Sequence, residues 1–428
     1  CQMNDLDSQK MGLILSQMGY VMTDDPKLAD LILFNTCTIR EKPYHKAMSE
    51  IGRATKIKRR MTNKIIGVCG CVAQQDGEAL LRKFPEIDFV CGPDQISTLQ
   101  NLVEGALKGK RISSDKLISD ANEYKFIELV TSDPISSCTA FVKVIKGCNY
   151  QCSYCIVPSV RGSEISRDPS SVVDEVSKLI ALGVKEITLL GQNVTAYSIG
   201  TKRRALPELI QRISNETTIE RIRFVAPHPS DVTDELIDEF GKNKKLCPHM
   251  HLPVQSGSNR TLKSMRRGYT IERFYEIINK LRDISPDIAI TTDIIAGFSG
   301  ESDEDYNETY ALIENVRFDS IFAFKYSPRP GTRAMTMPDD VDYDKKVMRL
   351  DKLLKLQQGI CLEKNNKLIG SEIDVLVTGL DRMATGQLMG RSPDNRLVNF
   401  SGESSLIGSI VRVTITKGMI NSLQGRLE

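Results

Sequence analysis

Gly147-Cys148-Asn149-Tyr150-Gln151-Cys152-Ser153-Tyr154-Cys155 is the stretch on which the reading of this chain turns. Its cysteines follow a C-x3-C-x2-C pattern, which lets one loop aim three thiols at a common centre. Thiolates are soft ligands and select iron–sulfur clusters or zinc. A closed zinc or cubane site takes four protein ligands, so three leave one metal position open to a small molecule. The plainer reading, three core cysteines grouped by chance, fits poorly with the spacing and with what precedes it. "FVKVIKG" (141–147) reads as a buried strand, and the cysteines begin where it ends, the place where barrel folds gather their sites.

Outward from this loop the pattern repeats. "EITLLGQN" (186–193), "RIRFVAP" (221–227), "HMHLPVQS" (249–256), "IAITTDIIAG" (288–297) and "SIFAFKYS" (320–327) read as further strands. Helical runs such as "PSSVVDEVSKLIALG" (169–183) and "TIERFYEIINKLRDI" (270–284) separate them. Six β/α units in succession predict a partial TIM-type barrel over residues 138–363, with the polar strand exits on its active face.

Two other textures flank the barrel. Residues 1–110 alternate helices with "ADLILFNTC" (29–37), "KIIGVCGC" (64–71) and "IDFVCG" (87–92), which predicts a parallel α/β domain. Asn4 or Asp5 is a candidate cap for a first helix carrying Leu6, Met11, Leu13, Ile14 and Met18. Cys37 and Cys71 fall at strand ends, where such sheets collect ligands. The chain opens on Cys1, and βα logic places a strand upstream of it. Cys1 would then occupy the same kind of strand end, and the three cysteines would meet. Residues 111–137 read as a connector. Residues 364–428 carry short β-rich runs with glycine and aspartate turns, a small antiparallel barrel.

Composition narrows the class. Lys and Arg total 57 against 55 Asp and Glu, so the net charge of +2 carries no strong basic signature. The local run Lys56, Lys58, Arg59 and Arg60 reads first as a solvated helix face. Lys367, Arg382, Arg391, Arg396, Arg412 and Lys417 dot the last module and are candidates for phosphate contact, though ordinary surface charge accounts for any one of them. No apolar run reaches the ~20 residues of a membrane helix, so a cytoplasmic protein without membrane attachment is expected. Eleven cysteines, an odd count, argue for metal or redox chemistry rather than a disulfide framework.

The cysteine loop, with Tyr154 before its last cysteine, resembles the radical S-adenosylmethionine superfamily. Cys1, Cys37 and Cys71 ahead of it, and a module resembling a TRAM domain behind it, resemble the methylthiotransferases. "CQMN" (1–4), "NTCTIREK" (35–42), "GVCGCVAQ" (67–74), "GCNYQCSYCIVP" (147–158), "RGSEISR" (161–167), "LLGQNV" (189–194), "HLPVQSGSNRTLKSMRRGYT" (251–270) and "DIIAGFSGES" (293–302) carry the likeness along most of the chain. The wording of "NTCTIREK" and "HLPVQSGS" resembles that of the branch acting on N6-isopentenyladenosine beside the tRNA anticodon. Sister branches act on threonylcarbamoyl-adenosine in tRNA or on a ribosomal protein.

The resemblance implies roles. Cys148, Cys152 and Cys155 would hold a 4Fe-4S cluster whose open iron binds S-adenosylmethionine. Cys1, Cys37 and Cys71 would hold a second, auxiliary 4Fe-4S cluster that carries the sulfur to be inserted. One S-adenosylmethionine would give the methyl group, and a second the radical. Tyr154, Gln192, Asn193 and Gly297 would contact S-adenosylmethionine. Gln192 stands where many relatives have glutamate, and Glu301 completes a G-x3-E arrangement with Gly297. The partners implied are the anticodon stem-loop of tRNA and an electron donor such as flavodoxin or ferredoxin, with a monomeric enzyme. The reading from a different class is a cluster-bearing RNA-binding protein without catalysis.

Two ambiguities stay open at this level. Cys69 and Cys71 would face one side of an extended strand, so alternation cannot choose between them; the family wording favours Cys71. Cys247, His249 and His251 lie close in sequence but lack a fourth zinc ligand. His249 and His251 would share one strand face, and His251 either touches substrate or packs. His45 and His228 carry no signal, and Cys91, Cys138 and Cys361 read as small buried hydrophobes.

Overall fold

Ile65–Gly70 is buried at every position, as expected of an inner strand covered on both faces. The computed structural model, which describes residues 2–38, 41–128, 137–381 and 386–428, places it in a parallel four-stranded sheet. The order is Leu31–Thr36, Ile65–Gly70, Phe89–Cys91, Ile112–Ser114. Alternation along the strand sorts two cores. Ile65 and Cys69 join Met11, Leu15, Leu99, Leu102 and Val103 on one face. Ile66 and Val68 join Ile51, Ala54, Val72, Ala73 and Leu80 on the other. Helices Gln2–Gln17 and Leu99–Leu107 therefore cover one side, and Glu41–Arg60 and Cys71–Lys83 the other.

This sheet belongs to the first of two compact units, Cys1–Thr131 with Ile145–Arg167 and Arg329–Met335. The three-cysteine loop thus lies in the same unit as the N-terminal sheet. Ile112–Ser114, within the stretch read as a connector, is the sheet's fourth strand. The first helix is already running at Gln2, so Asn4 and Asp5 do not cap it; Asn4 bonds across to the first strand instead. Lys58 and Arg59 of the basic run pair with Asp88 and Glu86 at 2.5 Å each, tying the end of their helix to the entry of the strand Phe89–Cys91.

The second unit holds Ser132–Val144, Asp168–Pro328 and Thr336–Glu428. The six expected strands are present, all parallel. Thr139–Lys143, Glu186–Leu190 and Arg221–Phe224 form one set. His249–His251, Ala289–Ala296 and Ser320–Lys325 form the next. The bridge Ile222↔Leu246 joins the two sets. Helices Pro169–Ala181, Leu206–Glu216, Asp234–Lys242, Ile271–Ile284, Asp303–Val316 and Tyr343–Asn366 alternate with the strands. The last of these leads into a closed five-stranded barrel. Its pairs are antiparallel except one parallel seam between Leu397–Ser401 and Leu423–Leu427. Val375, Val377, Leu388, Val398, Phe400, Val413, Ile415 and Leu423 fill it.

Two buried arginines and a half-buried one fasten this barrel within its unit. Arg221 donates to the carbonyls of Arg391 (2.9 Å) and Asp374 (3.0 Å). Arg223 donates to Pro393 and Ser392, both 2.8 Å, and pairs with Glu186 at 2.9 Å. Arg396 reaches Asp319 and Asn365 at 2.5 Å each. Arg396 is therefore committed to the fold and not to phosphate; Arg382 lies outside the described residues. No helix among the described residues is long and apolar enough to cross a membrane.

Candidate metal centres

The chain around Cys37 and Cys71 is stitched by short polar bonds. Asn4 donates to the Asn35 side chain (2.7 Å) and the Thr36 carbonyl (3.2 Å). Asn35 answers with bonds to the Asn4 carbonyl (2.7 Å) and Ser8 (2.8 Å). The Thr36 hydroxyl donates to the Cys69 carbonyl at 2.5 Å and accepts from the Val72 N–H at 3.2 Å. The residues next to Cys1, Cys37 and Cys71 are thereby cross-linked to one another, although Cys1 itself lies outside the described residues. Gly70 makes the turn possible. Its φ is 88°, and a Cβ there would collide with the Thr36 carbonyl and the Asn35 side chain; only glycine adopts that backbone in so tight a place.

That turn also separates Cys69 from Cys71. Cys69 is the last strand residue to point into the sheet core, fully buried beside Cys91, its register partner. A hydrogen bond with Cys91, together with burial, pushes the Cys69 thiol well up. Cys71 opens a helix instead and packs on Ile156 and Val160. Burial raises its thiol too, opposed by the Arg161 guanidinium beside it, and Cys37 is close enough to add to the rise. The expectation that residues 69 and 71 share one face fails because Gly70 ends the extended backbone between them.

Arg161 arrives from the other cysteine set. Its five-residue helix, Val157–Arg161, begins two residues after Cys155. The guanidinium donates to Asp7 at 2.6 Å, with side-chain exposures of only 5% and 2%. Upstream, Ile145–Lys146 pairs antiparallel with Ile165–Ser166 and closes the loop between them. Gly147 turns at φ 77°, where a Cβ would strike the Ser163 and Gly162 carbonyls. Cys148 N–H donates to Gly162 (3.1 Å), and Cys155 N–H to Cys152 (3.0 Å), a turn that carries Tyr154 half-buried at its tip. Asn149 and Glu164 exchange three bonds of 3.1 Å. Lys146, 1% exposed, is held by Asp94 at 2.5 Å and the Ile118 carbonyl at 2.6 Å. Burial above all pushes the Cys148 thiol up to about 12, with Cys155 and Cys152 near enough to contribute.

The donor chemistry of both sets fits iron–sulfur ligation: each is a group of thiols, held by backbone turns that glycine makes possible. Among the described residues, no three cysteine, histidine or acidic side chains form a ready-made ion cage. That includes Cys247, His249 and His251. Cys247 sits near Arg223 and Glu186, while His249 and His251 both meet the Thr291 hydroxyl, at 3.2 and 3.0 Å.

The other predicted contacts lie in the second unit. Gln192 is half-buried beyond the strand Glu186–Leu190. Asn193 is buried, donating to Asp231 and accepting from Thr195, both at 2.8 Å. Its side chain is spent on the turn. Gly297 N–H donates to Glu301 at 2.9 Å, and Glu301 accepts from Arg349 at 2.6 Å. The G-x3-E arrangement is thus a loop closed on itself and anchored to the final helix.

His228 shows how the turn network responds to pH. It is buried, and its Nδ1 accepts from the Ser230 N–H at 3.3 Å. Burial, aided by the Arg267 charge, lowers it to about 2 from 6.5. A depressed imidazole contributes stability that is complete above the unfolded value and is lost as pH falls. Between 6.5 and the folded value each pH unit should cost up to ~1.4 kcal/mol. Thermal melts of the protein and of His228→Gln from neutral pH to about pH 5 check this: the variant's slope should be flatter, and equal slopes would refute it.

Sequence reasoning missed Asn4, Asp7, Thr36 and Arg161. Asp7 and Lys10 are polar residues buried on the same helix as Leu6 and Met11. That break in the apolar pattern was the available signal; Arg161 stood in "RGSEISR" without a role.

Comparison with known proteins follows these lines. The radical SAM superfamily model matches residues 142–313, uncharacterized protein family UPF0004 matches 1–92, and the TRAM domain matches 366–427. The radical S-adenosylmethionine methyltransferase TsrM from Kitasatospora setae, solved with cobalamin and a [4Fe-4S] cluster, shares the fold. Its TM-score is 0.56 at 15% identity, covering 90% of this chain and 77% of that one. Fold and cysteine pattern together define a radical SAM enzyme with an added N-terminal domain and a TRAM barrel. The tRNA-2-methylthio-N(6)-dimethylallyladenosine synthase of Syntrophus aciditrophicus is 44% identical, over 100% of this chain and 92% of its own length. The enzyme of that name from Geobacter sulfurreducens is also 44% identical, over 100% and 95%. The chain belongs to the family of tRNA-2-methylthio-N(6)-dimethylallyladenosine synthases.

Proposed function

We propose that Cys148, Cys152 and Cys155 hold one 4Fe-4S cluster and Cys1, Cys37 and Cys71 a second, each with one iron lacking a protein ligand. With S-adenosylmethionine, the enzyme places a methylthio group on carbon 2 of N6-isopentenyladenosine beside the anticodon of tRNA. When bound, the clusters supply an electron to split S-adenosylmethionine and a site to carry sulfur. The chain's own task is to hold radical source, acceptor carbon and sulfur within reach of one another.

The observation that carries this reading is the packing of Cys71 on Ile156 and Val160, the residues that follow Cys155. It brings the two cysteine sets into one compact unit. The relatives' names support the reaction and the substrate. Tyr154, Gln192 and Gly297 serve S-adenosylmethionine, while Asn193 holds the turn behind Gln192. Lys367, Arg391, Arg412 and Lys417 are left to meet RNA phosphates. The functional divisions are 1–110, the connector 111–137, the radical core 138–363 and the TRAM module 364–428. Flavodoxin or ferredoxin supplies electrons to a cytoplasmic monomer.

Nucleosides from tRNA of a strain lacking the gene test the substrate. Mass spectrometry should show the 2-methylthio-isopentenyl form gone, with its unmethylthiolated precursor accumulating. Loss of only the methylthio-threonylcarbamoyl form would assign the enzyme to the sister reaction.

A further inference from the structure

Arg161 has more donors than its surroundings use. One guanidinium nitrogen, Nη1, binds Asp7 at 2.6 Å. Nη2 is fully buried and, among the described residues, has no oxygen or nitrogen acceptor; what faces the guanidinium beyond Asp7 is the Cys71 thiol, with which it hydrogen-bonds. The side chain is 5% exposed, out of reach of bulk solvent. The guanidinium lies against the Cys71 thiol. A structural clamp between two helices would be complete with the Asp7 bond. Burying a charged pair is costly, and giving one of its donors only a weak acceptor adds to that cost. A neutral thiol is a weak acceptor, and the arrangement makes sense if stronger sulfur acceptors arrive at Cys71 with the group bound there.

Sulfur is that acceptor. A thiolate-ligated cluster carries net negative charge, and donors aimed at its sulfurs stabilise the reduced form. The rigid fork of arginine suits the double task, with one nitrogen on the carboxylate and the other on sulfur. Asp7 fixes the fork and tempers its charge. Asp7 stands on the helix that follows Cys1, and Arg161 on the helix that follows Cys155. One guanidinium therefore links elements next to both cysteine sets.

We propose that Arg161 is a positioning residue that donates through Nη2 to the sulfur atoms at Cys71 and raises the reduction potential of the auxiliary cluster, with Asp7 as its counterweight. This rests on the reading of Cys71 as a ligand.

The test uses the full chain, anaerobically reconstituted, in a Cys152→Ala background, so that the remaining signal is auxiliary. Iron content is measured first, then the potential by titration followed by electron paramagnetic resonance. Arg161→Gln should reduce the equilibrium constant for reduction about tenfold, ~59 mV for a one-electron couple. Arg161→Lys, which keeps charge but loses the fork, should fall between. Asp7→Asn should shift the potential the opposite way, upward, by removing the opposing charge. A purely structural pair predicts lowered melting temperature in both directions of substitution with the potential unmoved. Iron retained with an unmoved potential, or Gln and Asn shifts of the same sign, overturns the proposal. If Arg161→Gln fails to hold iron, the Lys and Asp7→Asn variants decide by the same signs. Failure of the underlying reading looks different: Cys71→Ala in this background would then keep its iron.

Discussion

Cys152→Ala is expected to lose about four iron atoms per chain and to release no 5′-deoxyadenosine from S-adenosylmethionine under reducing, oxygen-free conditions. The cause is local. Cys152 is 9% exposed in a loop closed by the pairing of Ile145–Lys146 with Ile165–Ser166. Its backbone carbonyl accepts from Cys155, so the two thiols belong to one turn. Alanine keeps that turn and removes only the sulfur, and a three-ligand site has no spare protein donor to take its place. The fold should survive, because Asn149–Glu164 and Lys146–Asp94 hold the loop without it. Iron analysis and chromatography of the nucleoside product read the two effects separately. Deoxyadenosine formed at the parent rate would place the radical chemistry elsewhere. A cluster-bearing RNA binder without catalysis predicts none from either protein.

Much of this was legible in the sequence because it depends on short-range pattern. The six parallel strands of the second unit are runs of β-branched and aromatic residues ending in small or polar ones, and each overlaps its run, although the first spans Thr139–Lys143 and leaves Ile145–Lys146 to pair with Ile165–Ser166. Cys37 and Cys71 were legible as strand-end residues for the same reason. What the sequence concealed depends on contacts between distant segments. Asp7 and Arg161 are 154 positions apart, and no periodicity links them. Arg396 reads as an RNA contact until Asp319 is seen to bind it, 77 positions away. The presence of the three-cysteine loop in the N-terminal unit is likewise a fact of packing. One local feature also escaped: a single positive φ at Gly70, which no alternation rule anticipates.

That glycine leads to the second large effect. Cys71→Ala should lose about four iron atoms, keep reductive cleavage of S-adenosylmethionine, and form no methylthiolated nucleoside. Cys69→Ala should keep both iron complements and the product. The two thiols are separated by one residue, yet their surroundings differ in kind. Cys69 is fully buried against Cys91 inside the sheet, among Phe89, Leu99 and Val103. An iron–sulfur group there would have to displace the core. Its removal should register as a cavity, a loss of about 1–2 kcal/mol in stability. Cys71 stands past the strand end at the start of a helix, beside Cys37 and Arg161, whose guanidinium opposes the rise that burial imposes on the thiol. Iron content and product are the measurements, with melting temperature as the control for the core. Loss of iron through Cys69→Ala alone would mean that the strand runs on through Gly70 when the cluster binds, and would reverse the assignment.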